Sequence, residues 1–292
     1  MSTNPNKGIG GKIPIVLICA GMILMVVQTL SNPALYFQKL FNQVESPSSF
    51  SFSNYEGLLK SAVKDKLVDY ALLAQNKKVL NECVEKIAKT SDAGMKDEKT
   101  RLAYLINCYN LIVLKTWVDA YPKILKEKPA DIKQRYSKTN FLIGGKTYSI
   151  NSFSNEVLIP LIKQREGYPL FLLCGGTKGF PSLQNHFITA SSLNDDCVEA
   201  LGSYMTDNKN VLYDDLHNTL YISPFFLWYQ DTLTTNGQTP HQWVLAHLPN
   251  SEEIAASSEN HTLTELYFKQ FDWSINNFQT QLPVPPNPSS RP

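Results

Sequence analysis

The sequence predicts an α+β fold in a single domain, with helices in the first half followed by a small, mostly antiparallel sheet and further short helices. Three observations lead there. Apolar residues recur at helical spacing from Tyr55 to Thr90, a nearly uniform apolar stretch runs from Thr100 to Tyr121, and beyond Pro122 the apolar runs shorten between glycine pairs and turn residues. Over 292 residues, 43% hydrophobic and 18% charged content suits a globular core.

YEGLLKSAVKDKLVDYALLAQN, from Tyr55, reads as one amphipathic helix with Asn54 placed to cap it, and NKKVLNECVEKIAKT reads as a second with Cys83 on its apolar face. The third, Thr100–Tyr121, is apolar nearly all round and is expected at the centre of the domain. On it Asn107 and Asn110 share a face. Buried amides must be hydrogen-bonded, so the pair serves either as a clamp on a neighbouring loop or as part of a binding site.

FLIGGKTYSI reads as a hairpin turning at Gly144-Gly145, SFSNEVLIPLIK as a helix, and the continuous apolar run Tyr168–Cys174 as a buried strand. A helix from Ser192 to Met205 precedes a second hairpin, VLYDDLHNTLYI, with His217 solvated at its turn. SPFFLWYQDTL, TPHQWVLAHL and LTELYFKQF read as short helices. Trp117, Trp228, Trp243 and Trp273 lie on apolar faces and are expected in the core.

The ends of the chain differ from the middle. Ile13–Leu30 carries no charge and follows Lys7 and Lys12. As a helix it would span about 27 Å, close to a bilayer core, with basic residues that favour a cytoplasmic N-terminus. Residues 1–12 are thus expected in the cytoplasm and 13–31 as a transmembrane anchor or a signal sequence cut after Ser31. Residues 32–54 form a linker, 55–276 an extracytoplasmic globular domain, and 277–292 a proline-rich disordered tail.

A net charge of +1, from 27 basic and 26 acidic residues, supplies no footprint for nucleic acid. Cys83, Cys108, Cys174 and Cys197 lack the spacing of a zinc site or a redox pair, GGTKG lacks that of a phosphate loop, and no cofactor or metal is implied.

LLCGGTKGFPSL, Leu172–Leu183, poses the sharpest chemical question. Cys174 is either a nucleophile on a loop, with Gly175 and Gly176 bringing backbone N–H groups to a bound carbonyl, or a core thiol at the end of a strand. A nucleophilic thiol needs a base, and the sequence places no histidine beside it; His186 is twelve residues downstream.

The order of motifs resembles the domain-of-unknown-function 547 family over about Tyr55–Asn276. The resemblance rests on I-N-x-Y-N before Y-P (Ile106, Asn107, Tyr109, Asn110, Tyr121, Pro122), on the C-G element at Cys174-Gly175, and on LYISPFFLWYQ and FDWSIN. It implies the domain without implying an activity. The chain departs from the family pattern in two places. Where members carry I-E-H it has Phe153, Ser154 and Asn155, and where they carry a second cysteine in S-C-P-P-L it has Gly179-Phe180-Pro181-Ser182-Leu183 with one extra residue.

The function expected is therefore that of a membrane-tethered domain binding an envelope ligand or a partner protein, with possible catalytic groups partly lost. The alternative is a cysteine-dependent hydrolase or transferase using Cys174, with Asn107 or Asn110 orienting the loop.

Overall fold

The computed structural model describes residues 52–214, 216–234, 237–248 and 265–278, all within one compact unit, and the fold is α+β. The expected anchor and most of the linker, together with Cys19, His261 and the proline-rich tail beyond Phe278, lie outside the described residues. Among the described residues no helix is long and apolar enough to cross a membrane.

The first expected helix is two. α1 (Ser53–Ala62) stops at Val63, a hairpin of β1 (Val63–Lys64) and β2 (Leu67–Val68) intervenes, and α2 (Tyr70–Gln75) follows. Asp65 and Lys66, both at positive φ, form the turn, while Val63 and Val68 turn into the core. Asn54 lies within α1 and does not cap it; α2 is capped by Asp69, whose carboxylate accepts from Leu72 N–H at 2.8 Å.

α3 (Lys77–Lys89) buries Leu80, Cys83 and Ile87 along one stripe, as its spacing predicts. α4 (Glu98–Ala120), capped by Asp97 accepting from Thr100 N–H, is the central helix and is buried without interruption from Leu102 to Leu114. The Gly144-Gly145 turn joins β3 (Asn140–Ile143) to β4 (Lys146–Ser149), and both glycines have positive φ. Their N–H groups donate to Ile87 and Ala88 carbonyls, so the turn also satisfies the C-terminal end of α3.

Between α4 and β3 in the chain, α5 (Pro129–Lys138) buries Ile132 and Tyr136. The helix expected from SFSNEVLIPLIK is present but not uniform: α6 (Ile150–Phe153) opens into a π turn, Ser154–Leu158, before α7 (Ile159–Lys163). Pro160 supplies the reason. It has no N–H to donate, and its ring would clash with the carbonyl four residues back, so the helix widens immediately before it and Ile159 N–H donates to Ser154 O.

Two further expectations are corrected. Tyr168–Leu172 is a 3-10 helix, not a strand, with only Leu173 extended after it. Left-handed Gly167 and Pro169 start it, and a short apolar run buried on every side has no periodicity to tell strand from helix. LTELYFKQF contributes not a helix but β7 (Glu265–Phe268), parallel to the second strand of the expected hairpin β5 (Val211–Asp214) and β6 (Thr219–Ile222). Tyr267 stacks on Tyr221, the kind of aromatic cross-strand pair that favours a strand.

α8 (Leu193–Met205) packs on the 3-10 helix; α9 (Pro224–Trp228), α10 (Gln230–Leu233) and α11 (Pro240–Ala246) complete the domain. Residues 271–278 then strap the glycine loop. Gly179 and Lys178 N–H groups donate to Asp272 and Ser274 carbonyls, and Asn276 N–H donates to Gly176 O. The Asn276 side chain accepts from Tyr70 OH at 2.8 Å.

Candidate functional site

The amides of α4 hold two loops at once. Asn110 Nδ2 donates to Leu172 O at 2.9 Å while its Oδ1 accepts from Cys174 N–H at 3.0 Å. Asn107 does the same to Ile188, donating to its carbonyl at 2.7 Å and accepting from its N–H at 3.0 Å. Each amide thus replaces the partners that an irregular buried backbone lacks. Asn107 Nδ2 also donates to Ala103 O, and both side chains are buried.

Cys174 is 1% exposed, and burial pushes its thiol well above the usual range. None of the four described histidines bonds to it. His186 pairs with Asp196, exposed His217 with Asp214, and His247 with Tyr168 and the Trp243 carbonyl, while His241 packs against Phe268. The two glycines beside it admit aromatic rings, not a ligand. A Cβ on Gly175 would lie 2.2 Å from the Phe180 ring, and one on Gly176, already at φ +71, would lie 1.4 Å from Trp117 Nε1.

The pocket of interest opens on the far side of Phe180. Its volume is about 280 Å³, and aromatic side chains form most of its wall: Tyr109 from α4, Tyr136 from α5, Phe180 from the glycine loop, Trp228 and Tyr229 at the end of α9, and Trp273 from the strap. Trp228 and Trp273 stand with ring centroids 5.8 Å apart and planes inclined at 36°. Trp228 is 46% exposed and Trp273 partly so, whereas Trp117 and Trp243 are core, as expected of all four.

Polar groups come from two helices. Asn151, Ser154 and Asn155 project from the turn where α6 widens into the π segment, and Lys133 reaches across from α5 with its ammonium 4.7 Å from the Trp273 ring centre. The Ser154 hydroxyl is buried and has no hydrogen-bond partner. No carboxylate lines the pocket, and Lys133 joins no ion pair among the described residues. Burial raises the phenols of Tyr109 and Tyr136 well above their usual range and that of Tyr229 to about 12, so all three remain protonated donors at neutral pH. Tyr136 spends its proton on the Gly175 carbonyl, which ties the pocket wall to the cysteine loop.

A larger recess, about 910 Å³, lies on the other side of Trp273, bordered by Leu125, Ile132 and Phe278. Glu127, Asp272 and Lys178 make its lining mixed in charge, and none of the orphaned buried side chains opens into it. The smaller pocket is the better ligand site for that reason. No group of histidine, cysteine and acidic side chains among the described residues is arranged to hold a metal.

Sequence reasoning passed over Lys133 and the three tyrosines of this pocket and read its two tryptophans as core. One signal was present: in PFFLW the buried pair Phe225-Phe226 sets the inward face, which leaves Trp228 on the outer one. Of the positions where the chain departs from the pattern it resembles, Ser154, Asn155 and Phe180 line this same pocket.

Residues 93–205 match the model of the family described as Protein of unknown function, DUF547. The matched stretch supplies the inner wall and the polar groups of the pocket, while Trp228, Tyr229 and Trp273 lie outside it. No curated protein and no solved structure matches the chain.

Proposed function

We propose, from the match of residues 93–205 to the DUF547 model and from the pocket, that the protein is a membrane-tethered, extracytoplasmic binding domain whose ligand occupies the aromatic pocket. The observation that carries the reading is the orphaned Ser154 hydroxyl inside a wall of aromatic rings, two of which stand open to solvent. A buried donor without a partner costs about 1–3 kcal/mol, and a bound ligand would remove that cost. Aromatic walls with a few convergent polar groups are the common composition of small-molecule sites. The uncharged run Ile13–Leu30 behind two lysines supports the tether.

The test uses the full chain in detergent and a thermal-shift panel of neutral oligosaccharides, acidic oligosaccharides, aromatic carboxylates and quaternary ammonium compounds. Binding at this pocket raises Tm with at least one class, and Trp228→Ala removes the shift. A panel in which no class moves Tm overturns the binding reading. Alkaline washing of membranes tests the tether: the full chain stays with the membrane and a chain lacking residues 13–31 does not.

A further inference from the structure

Resting on that reading, we infer that the ligand is an acidic saccharide: a pyranose ring stacked on Trp228, with its carboxylate at Lys133. Three features of the pocket select this class over the others a binding reading admits.

The first is charge. The lining contains one cation, no carboxylate, and an excess of hydrogen-bond donors: Lys133, Ser154 and the phenols of Tyr109 and Tyr229. Neither phenol has a hydrogen-bond partner among the described residues, and both stay protonated at neutral pH. A donor-rich wall with a fixed positive charge favours an anion. The Lys133 ammonium already lies over the Trp273 ring, so a quaternary ammonium ligand would meet like charge where an aromatic cage would need an open face.

The second is the distribution of polar groups. Asn151, Ser154 and Asn155 line the pocket from the widened turn and Lys133 lines it from α5, so several separate polar groups, not one, face a ligand. An aromatic carboxylate has one polar end and would leave most of these groups unpaired. A sugar carries hydroxyls around its whole rim, each both donor and acceptor, and the two amides offer both functions in return.

The third is the pair of tryptophans. Trp228 is 46% exposed, and the Trp273 ring, 5.8 Å away centre to centre, carries the Lys133 ammonium over it. The C–H face of a pyranose is apolar and flat enough to lie against one indole while its hydroxyl edges point outward to the amides. The groove is open, which suits one or two units of a chain lying across it.

The experiment is a titration of tryptophan fluorescence on the full chain, using oligomers of a hexuronic acid two to four units long, the matching neutral hexose oligomers, and benzoate. The acidic oligomer is expected to bind about tenfold more tightly than the neutral one. Lys133→Met brings the two to parity by weakening only the acidic oligomer, and Trp228→Ala weakens both. Both positions are exposed, and circular dichroism checks that the variants fold. Equal binding of acidic and neutral oligomers to the unmodified chain, or binding of benzoate without either sugar, overturns the acidic-saccharide inference and leaves the pocket as a ligand site. Silence from all three probes here, with no Tm shift across the wider panel, overturns both.

Discussion

Cys174 illustrates how much a residue's chemistry depends on what surrounds it. Its sequence setting, a thiol before two glycines, suits a nucleophile, yet the folded thiol is buried, has no described histidine bonded to it and is pushed toward the protonated form. The glycines are explained by Trp117 and Phe180, whose rings occupy the space a Cβ would need. Iodoacetamide labelling across pH 5 to 9, read by mass spectrometry, should leave Cys174 unmodified in the native chain and label it only on unfolding. Fast native labelling with an apparent pKa below about 8.5 would restore the thiol enzyme. The residue-level reading of Asn107 and Asn110 was legible in part: their shared face was readable, but their partners, Ile188 on one side and Leu172 with Cys174 on the other, are far away in sequence.

At the scale of elements, α4 acts as a spine that positions two loops through one amide each. Asn110→Ala would strip partners from the Leu172 carbonyl and the Cys174 N–H, both buried, and should cost about 2–4 kcal/mol in urea denaturation. Asn107→Ala should cost a similar amount, and the double variant should lose the sum to within about 0.5 kcal/mol, because the two clamps share no partner. A cost below about 0.5 kcal/mol for either would mean that water replaces the amide. The π turn is the other decisive element. Pro160 announced a disturbed helix, but that the widening would present Ser154 and Asn155 to a pocket depended on α4, α5 and the 271–278 strap closing around it.

For the whole molecule, the four described cysteines are all free and buried, and burial raises each thiol above its ordinary value. In the unfolded chain a thiol ionises near pH 8.5, while in the folded chain it keeps its proton to higher pH. Above that pH the unfolded state binds fewer protons, so stability is fully present below about 8.5 and falls as pH rises. Cys108 and Cys174, the most completely enclosed, should each contribute about 1.4 kcal/mol of loss per pH unit in that range. The urea midpoint should therefore be flat from pH 7 to 8 and decline by pH 10; a flat midpoint through pH 10 would show the thiols to be hydrated.

The sequence by itself determined the α+β class, the amphipathic face of α3, the central place of α4 and the hairpins β3–β4 and β5–β6, because each follows from local periodicity or turn chemistry read over a few residues. Tertiary structure decided the rest. It made Tyr168–Leu172 a 3-10 helix and 265–268 a strand, since an apolar run takes its form from what covers it. It also assembled the pocket, whose rings come from α4, α5, the glycine loop, α9 and the C-terminal strap, segments that only long-range packing brings within reach of one ligand.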